Sequence, residues 1–152
     1  MKRFWLFFSF VILLCCVCSE GDFLGDLLDR QDAIYSIYSS KEMDNNLDCT
    51  NLGVGYILSG DKQEAKKVFK GLIGCLYGQS VSFDGTKEVF DGLQSILNVK
   101  PVIKEKFDNI SCVYGVGDFG AKVSVCGKKV NIQMVYRDGK ITIGCPIILG
   151  SY

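Results

Sequence analysis

Histidine is missing altogether from the 152-residue chain, and proline occurs only twice. Without histidine no Ser-His or Cys-His dyad can form, and the commonest side-chain ligand of transition metals is lost. A surplus of either charge is missing too, since 17 Lys and Arg stand against 17 Asp and Glu. No global basic field therefore exists to hold a nucleic acid. What is present is 48% apolar, 12% aromatic and 22% charged residues with 17 Gly, a profile that excludes a disordered tail, a collagen-like repeat and a coiled coil.

The one long apolar run lies at the start. Lys2 and Arg3 precede the uncharged stretch Phe4 to Cys18, which is shorter than the roughly 20 residues a membrane-spanning helix needs. This reads as a secretory signal peptide over residues 1–19, with Val17 and Ser19 as the small residues before a cut at Glu20. Residues 20–152 are then expected to form a single secreted domain without membrane contact. Cleavage removes Cys15, Cys16 and Cys18 and leaves Cys49, Cys75, Cys112, Cys126 and Cys145, with no CxxC pair. An odd count in an oxidising compartment predicts two disulfides and one remaining thiol. Glu20 to Asp48 holds eight acids and two bases, so this segment should be attracted to the more basic remainder.

Hydrophobic spacing divides the rest. Leu24, Leu27, Leu28, Ile34, Tyr35 and Tyr38 recur at helical intervals, predicting a helix over Asp22 to Ser40. Lys41 to Leu52 reads as a polar loop, and Gly53 to Leu58 fits strand or helix equally. Asp61 and Glu64 resemble a capping box at the head of a helix running to about Leu76 and ended by Gly78. Val81 and Phe83 alternate with serines in a short strand, and Thr86 caps a third helix over Val89, Phe90, Leu93 and Leu97. The Lys66, Lys67 and Lys70 cluster with Lys128 and Lys129 reads as a solvated face, with anion or glycan binding the alternative.

From Phe107 the period changes to two. Asp138-Gly139 is a two-residue type I′ hairpin signal that pairs Arg137 with Lys140, Tyr136 with Ile141 and Met134 with Ile143. Lys128-Lys129 as a second turn and Gly117 to Gly120 as a loop complete a four-stranded antiparallel meander. Its apolar face would carry Ile110, Cys112, Tyr114, Val125, Ile132, Met134, Tyr136 and Cys145, and its wet face Cys126, Asn131, Gln133 and Thr142. In that register Cys112 and Cys145 lie too far apart to pair, so each seeks Cys49 or Cys75, and Cys126 is the odd thiol. Asn109-Ile110-Ser111 is an N-glycosylation sequon with Asn109 outward.

The order of elements, with Phe83 to Leu97 as strand end, turn and helix and with the late hairpin Tyr136 to Ile143, resembles the NTF2-like (SnoaL-like, cystatin-like-fold) superfamily. The resemblance implies an α+β fold in which N-terminal helices cover one face of a curved antiparallel sheet, a cone around an apolar pocket. Tyr114, Met134, Tyr136 and Phe90 become the pocket candidates, although such side chains on an apolar face are core packing more often than ligand contacts. No catalytic residue, metal or cofactor is assigned. The leading expectation is a non-enzymatic domain binding a small apolar ligand or a protein partner, with dimerisation allowed. An isomerase- or dehydratase-type enzyme using Asp118 and Tyr114 is one alternative. The other is a cystatin-type protease inhibitor, since Gln79 to Phe83 resembles a QxVxG loop with Phe83 in place of the glycine. Gly115 to Gly120 spells GxGxxG, but a strand follows, so no helix N-terminus awaits a phosphate.

Overall fold

The computed structural model describes residues 22–150 apart from 31, 44 and 73. The expected signal peptide lies outside these. The described residues form an α+β fold with three helices and a large antiparallel sheet. In chain order the elements are α1 (Leu24–Leu27), β1 (Ile34–Ser39), β2 (Asp48–Asn51), β3 (Tyr56–Gly60), α2 (Lys62–Gly71), β4 (Leu76–Asp84) and α3 (Lys87–Ile96). They continue as β5 (Lys100–Phe107), β6 (Ile110–Val116), β7 (Val123–Val125), β8 (Lys128–Val130), β9 (Ile132–Arg137) and β10 (Lys140–Cys145). Eight strands form one sheet in the order β2-β3-β1-β4-β10-β9-β6-β5, while β7 and β8 form a separate ribbon.

Local chemistry explains the helix boundaries. The Asp61 carboxylate accepts the backbone N–H groups of Gln63 and Glu64 at 2.8 and 3.0 Å, satisfying donors that the first turn of α2 cannot use internally. Thr86 accepts from Val89 N–H at the head of α3, and Asn98 with φ +50° follows its end. The expected helix over residues 22–40 is a correction. Only four residues are helical, Phe23 at the N-cap position provides no side-chain bond, and Ile34–Ser39 is a strand paired on both edges. Its Tyr35 and Ile37 enter one side of the sheet while Tyr38 is buried on the other. Two-sided burial of a strand thus imitates helical spacing. Likewise α2 stops at Gly71, and Leu76 opens the nine-residue β4.

The late hairpin has the expected register: Arg137 opposes Lys140, Tyr136 opposes Ile141, and Met134 opposes Ile143. Asp138 and Gly139 both have positive φ, as type I′ requires. The remainder of the expected meander differs. The turn in the middle is Cys126-Gly127, with φ +48° and +76°, so Cys126 sits in a turn and not on a strand. The β7-β8 ribbon leaves the sheet, and β9 pairs directly with β6, placing Cys112 opposite Val135 and Tyr114 opposite Gln133. Loss of two strands from the ladder reverses the parity of β6. Val113, not Cys112, therefore shares a face with Met134 and Ile143.

That face carries Tyr35, Ile37, Leu58, Val81, Phe83, Ile132, Met134, Ile141 and Ile143, which join Leu24, Ala65, Val68, Phe90 and Leu93 of the helices in one core cluster. Gln79 ties the first helix to it, accepting Leu24 N–H at 2.6 Å and donating to the Asp22 carbonyl at 2.8 Å. The other face is not wet. Val123, Val125 and Val130 of the ribbon pack with Tyr77, Tyr114 and Ile147, and Ile148 packs on Cys112 and Val135. Asn131, Gln133 and Thr142, expected in solvent, are buried. Their polar atoms are satisfied internally: Asn131 exchanges two bonds of 2.9 Å with the Gly117 backbone, Gln133 accepts Ile148 N–H at 2.9 Å, and Thr142 bonds Ser82 at 3.0 Å.

Residues 146–150 lie against β10 where Gly144 leaves room. A Cβ there would stand 2.7 Å from Ile148 N and Cγ1. Gly144→Ala should lower stability by about 1–3 kcal/mol, read as a shifted urea midpoint at unchanged slope. The Tyr38 hydroxyl beneath the same cover donates to Ser80 Oγ at 2.6 Å, and burial pushes its pKa up from 10.0 to about 12. A raised acid pKa means that the unfolded chain ionises first. This contribution is therefore intact below pH 10 and fades as pH climbs toward 12. Relative to Tyr38→Phe, the native protein should lose about 2 kcal/mol across that window in denaturation measured at successive pH values.

Candidate functional site

The rows of side chains on the helix face end, at the β5 edge, in lysines. One row runs Val81, Ile143, Met134, Val113, Lys104, and the next runs Phe83, Ile141, Tyr136, Ser111, Lys106, each position opposite the last. Apolar positions suit the interior strands, where α3 and the other helices exclude water. The sheet then extends beyond α3, and the outermost strand changes to Lys. Between α3 and β5-β6 this leaves an open groove of about 240 Å³, with Phe90 and Val113 among its lining residues and Lys87, Asp91, Lys104 and Lys106 around it.

The charges in this groove are not balanced. Lys87 forms an ion pair with Asp91, and its Nζ lies 4.9 Å from the Phe90 ring centroid. Among the described residues Lys104 and Lys106 form no salt bridge. Glu105 between them alternates toward the other face, opposite Cys112, yet still borders the groove, whose lining therefore sets Lys87, Lys104 and Lys106 against Asp91 and Glu105. By contrast, Lys62, Lys66 and Lys67 on α2 are compensated by Asp29, Asp26 and Glu64 at 2.8, 2.7 and 2.6 Å. The pairs to Asp29 and Asp26 are the form that the attraction between the acidic N-terminal segment and the basic remainder takes, each worth little individually.

The pocket candidates separate. Phe90 and Tyr136 meet with ring centroids 6.0 Å apart, and Met134 is fully buried in the same cluster. Tyr114 projects to the other face, against the ribbon and the C-terminal segment. Asp118 is exposed in the loop after β6, so it and Tyr114 are not brought together in an enclosed site. Gln79 to Phe83 lies within β4, paired with β1 on one side and β10 on the other. The exposed hairpin tip required of a protease-inhibiting loop is therefore not formed there, and Gln79 instead anchors the first helix.

The expected disulfides are likewise not formed, and Cys49, Cys75, Cys112, Cys126 and Cys145 are all free thiols. Cys112 and Cys145 occupy opposite faces, Cys145 in the main core and Cys112 under Ile148. Burial raises the pKa of both thiols, holding them in the unreactive protonated form. Cys49 and Cys126 are exposed, on β2 and in the ribbon turn. Asn109 is exposed in the two-residue turn joining β5 to β6, and its amide donates to Asp138 of the neighbouring turn.

A second depression of about 250 Å³ lies at the far end of the other face, lined by Val135, Arg137, Asp138, Lys140 and Thr142. Its cations are partly compensated, with Arg137 Nε 3.5 Å from Asp138. The groove beside α3 was missed from sequence because β5 does not alternate cleanly, although the Lys-x-Lys spacing at Lys104 and Lys106 marks one face of a strand once a strand is assumed. Comparison of the chain with known protein families, curated proteins and solved structures finds no match.

The two components of the groove should respond differently to substitution. Phe90→Ala removes a ring that is 1% exposed and should cost about 3–5 kcal/mol. Lys104→Ser with Lys106→Ser should leave stability within about 0.5 kcal/mol, because these side chains support no packing or ion pair. Urea denaturation of the three proteins checks both.

Proposed function

We propose that this chain is a secreted, non-enzymatic binding domain on an NTF2-like frame, and that it holds an anionic group of its ligand or partner in the groove between α3 and β5-β6. The observation that carries the reading is the pairing of two uncompensated lysines, Lys104 and Lys106, with an apolar lining formed by Phe90 and Val113. Positive charge beside apolar surface suits a carboxylate attached to a short hydrocarbon. A volume near 240 Å³ falls just below the ~300–1,000 Å³ of pockets that enclose a whole drug-sized molecule. The groove therefore suits a side chain or a small acid. Contact at this rim replaces the interior pocket, since Met134, Ile143 and Val81 fill the space beneath the helices as core. Secretion is supported by Lys2 and Arg3 ahead of the apolar run Phe4 to Cys18, and a glycan on exposed Asn109 would accompany it.

Hexanoate is a direct probe. Titrated into isotope-labelled protein at low salt, it should shift the amide resonances of Lys104, Lys106, Ser111 and Phe90 and leave β2 untouched. The effect should vanish in the Lys104→Ser, Lys106→Ser double variant and fade above physiological salt. Shifts clustered elsewhere, or retained by the double variant, contradict the assignment. Intact mass of the protein released by a secreting host, before and after N-glycosidase, should correspond to residues 20–152 plus a glycan at Asn109.

A further inference from the structure

We infer that the partner is an extended acidic segment of another protein, which adds to the sheet as a ninth strand along β5 and places two carboxylates beside Lys104 and Lys106. This deepens the reading of the groove as a binding site and rests on it.

Three observations converge on β5. It is the last strand in the sheet, so among the described residues its outer edge has no ladder partner. It is eight residues long, whereas β2 at the opposite edge has four. The closing pair of its two-residue hairpin is Phe107 with Ile110; such a pair exchanges both backbone bonds, so Phe107, Glu105 and Ile103 address β6. The backbone N–H and C=O groups of Lys104 and Lys106 consequently point outward. A strand docking there would bond to these two residues, and its side chains opposite them would lie on the helix face, at the mouth of the groove.

Charge decides which strand can dock. A second copy pairing antiparallel about a twofold axis centred on Lys104 sets that lysine against itself. Centring on Glu105 sets Lys104 against Lys106 and Glu105 against itself. Like charges directly opposite one another are unfavourable, and lysines on an edge are a recognised guard against self-association. An acidic-x-acidic segment reverses the sign of the same contacts. Apolar residues flanking it would meet Ile103 and Phe107, the latter 62% exposed, on the other face. Main-chain bonds would supply the general affinity and the lysine positions the selectivity.

The test uses the full secreted protein and a blocked peptide, Thr-Val-Glu-Thr-Glu-Val-Thr, with hexanoate as the companion probe. The peptide should slow hydrogen exchange of the Lys104 and Lys106 amides, which hexanoate leaves unprotected. A peptide N-methylated at the bonds facing β5 retains its carboxylates and should lose the protection. The Lys104→Glu, Lys106→Glu protein should bind the parent peptide roughly tenfold or more weakly and gain affinity for the peptide with Lys in place of both Glu. If hexanoate still shifts the groove resonances but the peptide gives no protection, or the N-methylated peptide protects equally, strand addition is overturned and the groove assignment stands. If neither probe acts on the groove, both fall. Concentration-dependent dimerisation of the unliganded chain through β5, seen by sedimentation, would also overturn the assignment, because the edge would then accept its own copy.

Discussion

Everything in this fold depends on closing both faces of the strands at its centre. β9 and β10 are hidden from the helix side by the main core and from the other side by the β7-β8 ribbon and residues 146–150. Two-sided burial of an antiparallel pair is demanding, because polar side chains can no longer be left to water. The chain meets the demand by bonding each of them internally. Gln133 shows how: its carbonyl oxygen accepts from Ile148 N–H, its amide donates to Cys112 Sγ at 3.5 Å, and the same bonds hold the cover in place. Tyr38 and Ser80 do so again nearer β1. The absence of a side chain at Gly144 is the steric counterpart of these bonds.

Two edges remain after the faces are closed, and they differ. An open strand edge invites pairing. At one end the four-residue β2 is short, which limits any ladder. At the other, the long β5 begins with Lys100-Pro101, has a register irregularity between Pro101 and Ile103, and then presents Lys104 and Lys106. A device that resists self-pairing by positive charge also selects for negative charge. The groove beside α3 borders these lysines, so the same charges that would disfavour self-pairing are those on which the proposed binding role is built.

Legibility followed how local each determinant was. The Asp61 and Thr86 caps and the Asp138-Gly139 turn act within four residues, and they appear as their side chains and dihedral preferences dictate. The α+β class followed from them. The register of β6 could not be read locally, because it depends on whether residues 123–130 join the sheet or leave it. Cys126-Gly127 decides this by adopting positive φ at both positions, a conformation for which Cys gives no hint. Tyr35 and Tyr38 misled for a different reason, as burial on alternate faces removed the apolar-polar rhythm that identifies a half-exposed strand. The groove needed β5, and β5 is polar because it is an edge.

The interior of this scaffold keeps its polar groups neutral and bonded to one another. Removal from water drives Tyr38, Cys112 and Cys145 toward their neutral forms. Among the described residues no buried side-chain nitrogen or oxygen lacks a partner, so the interior holds its polar groups in mutual bonds and directs none of them at an empty site. The uncompensated charge stands outside, on a rigid strand whose other side is bonded along its length to β6. Such a placement leaves Lys104 and Lys106 exposed to water, and the proposed contact with a carboxylate rests on these two cations.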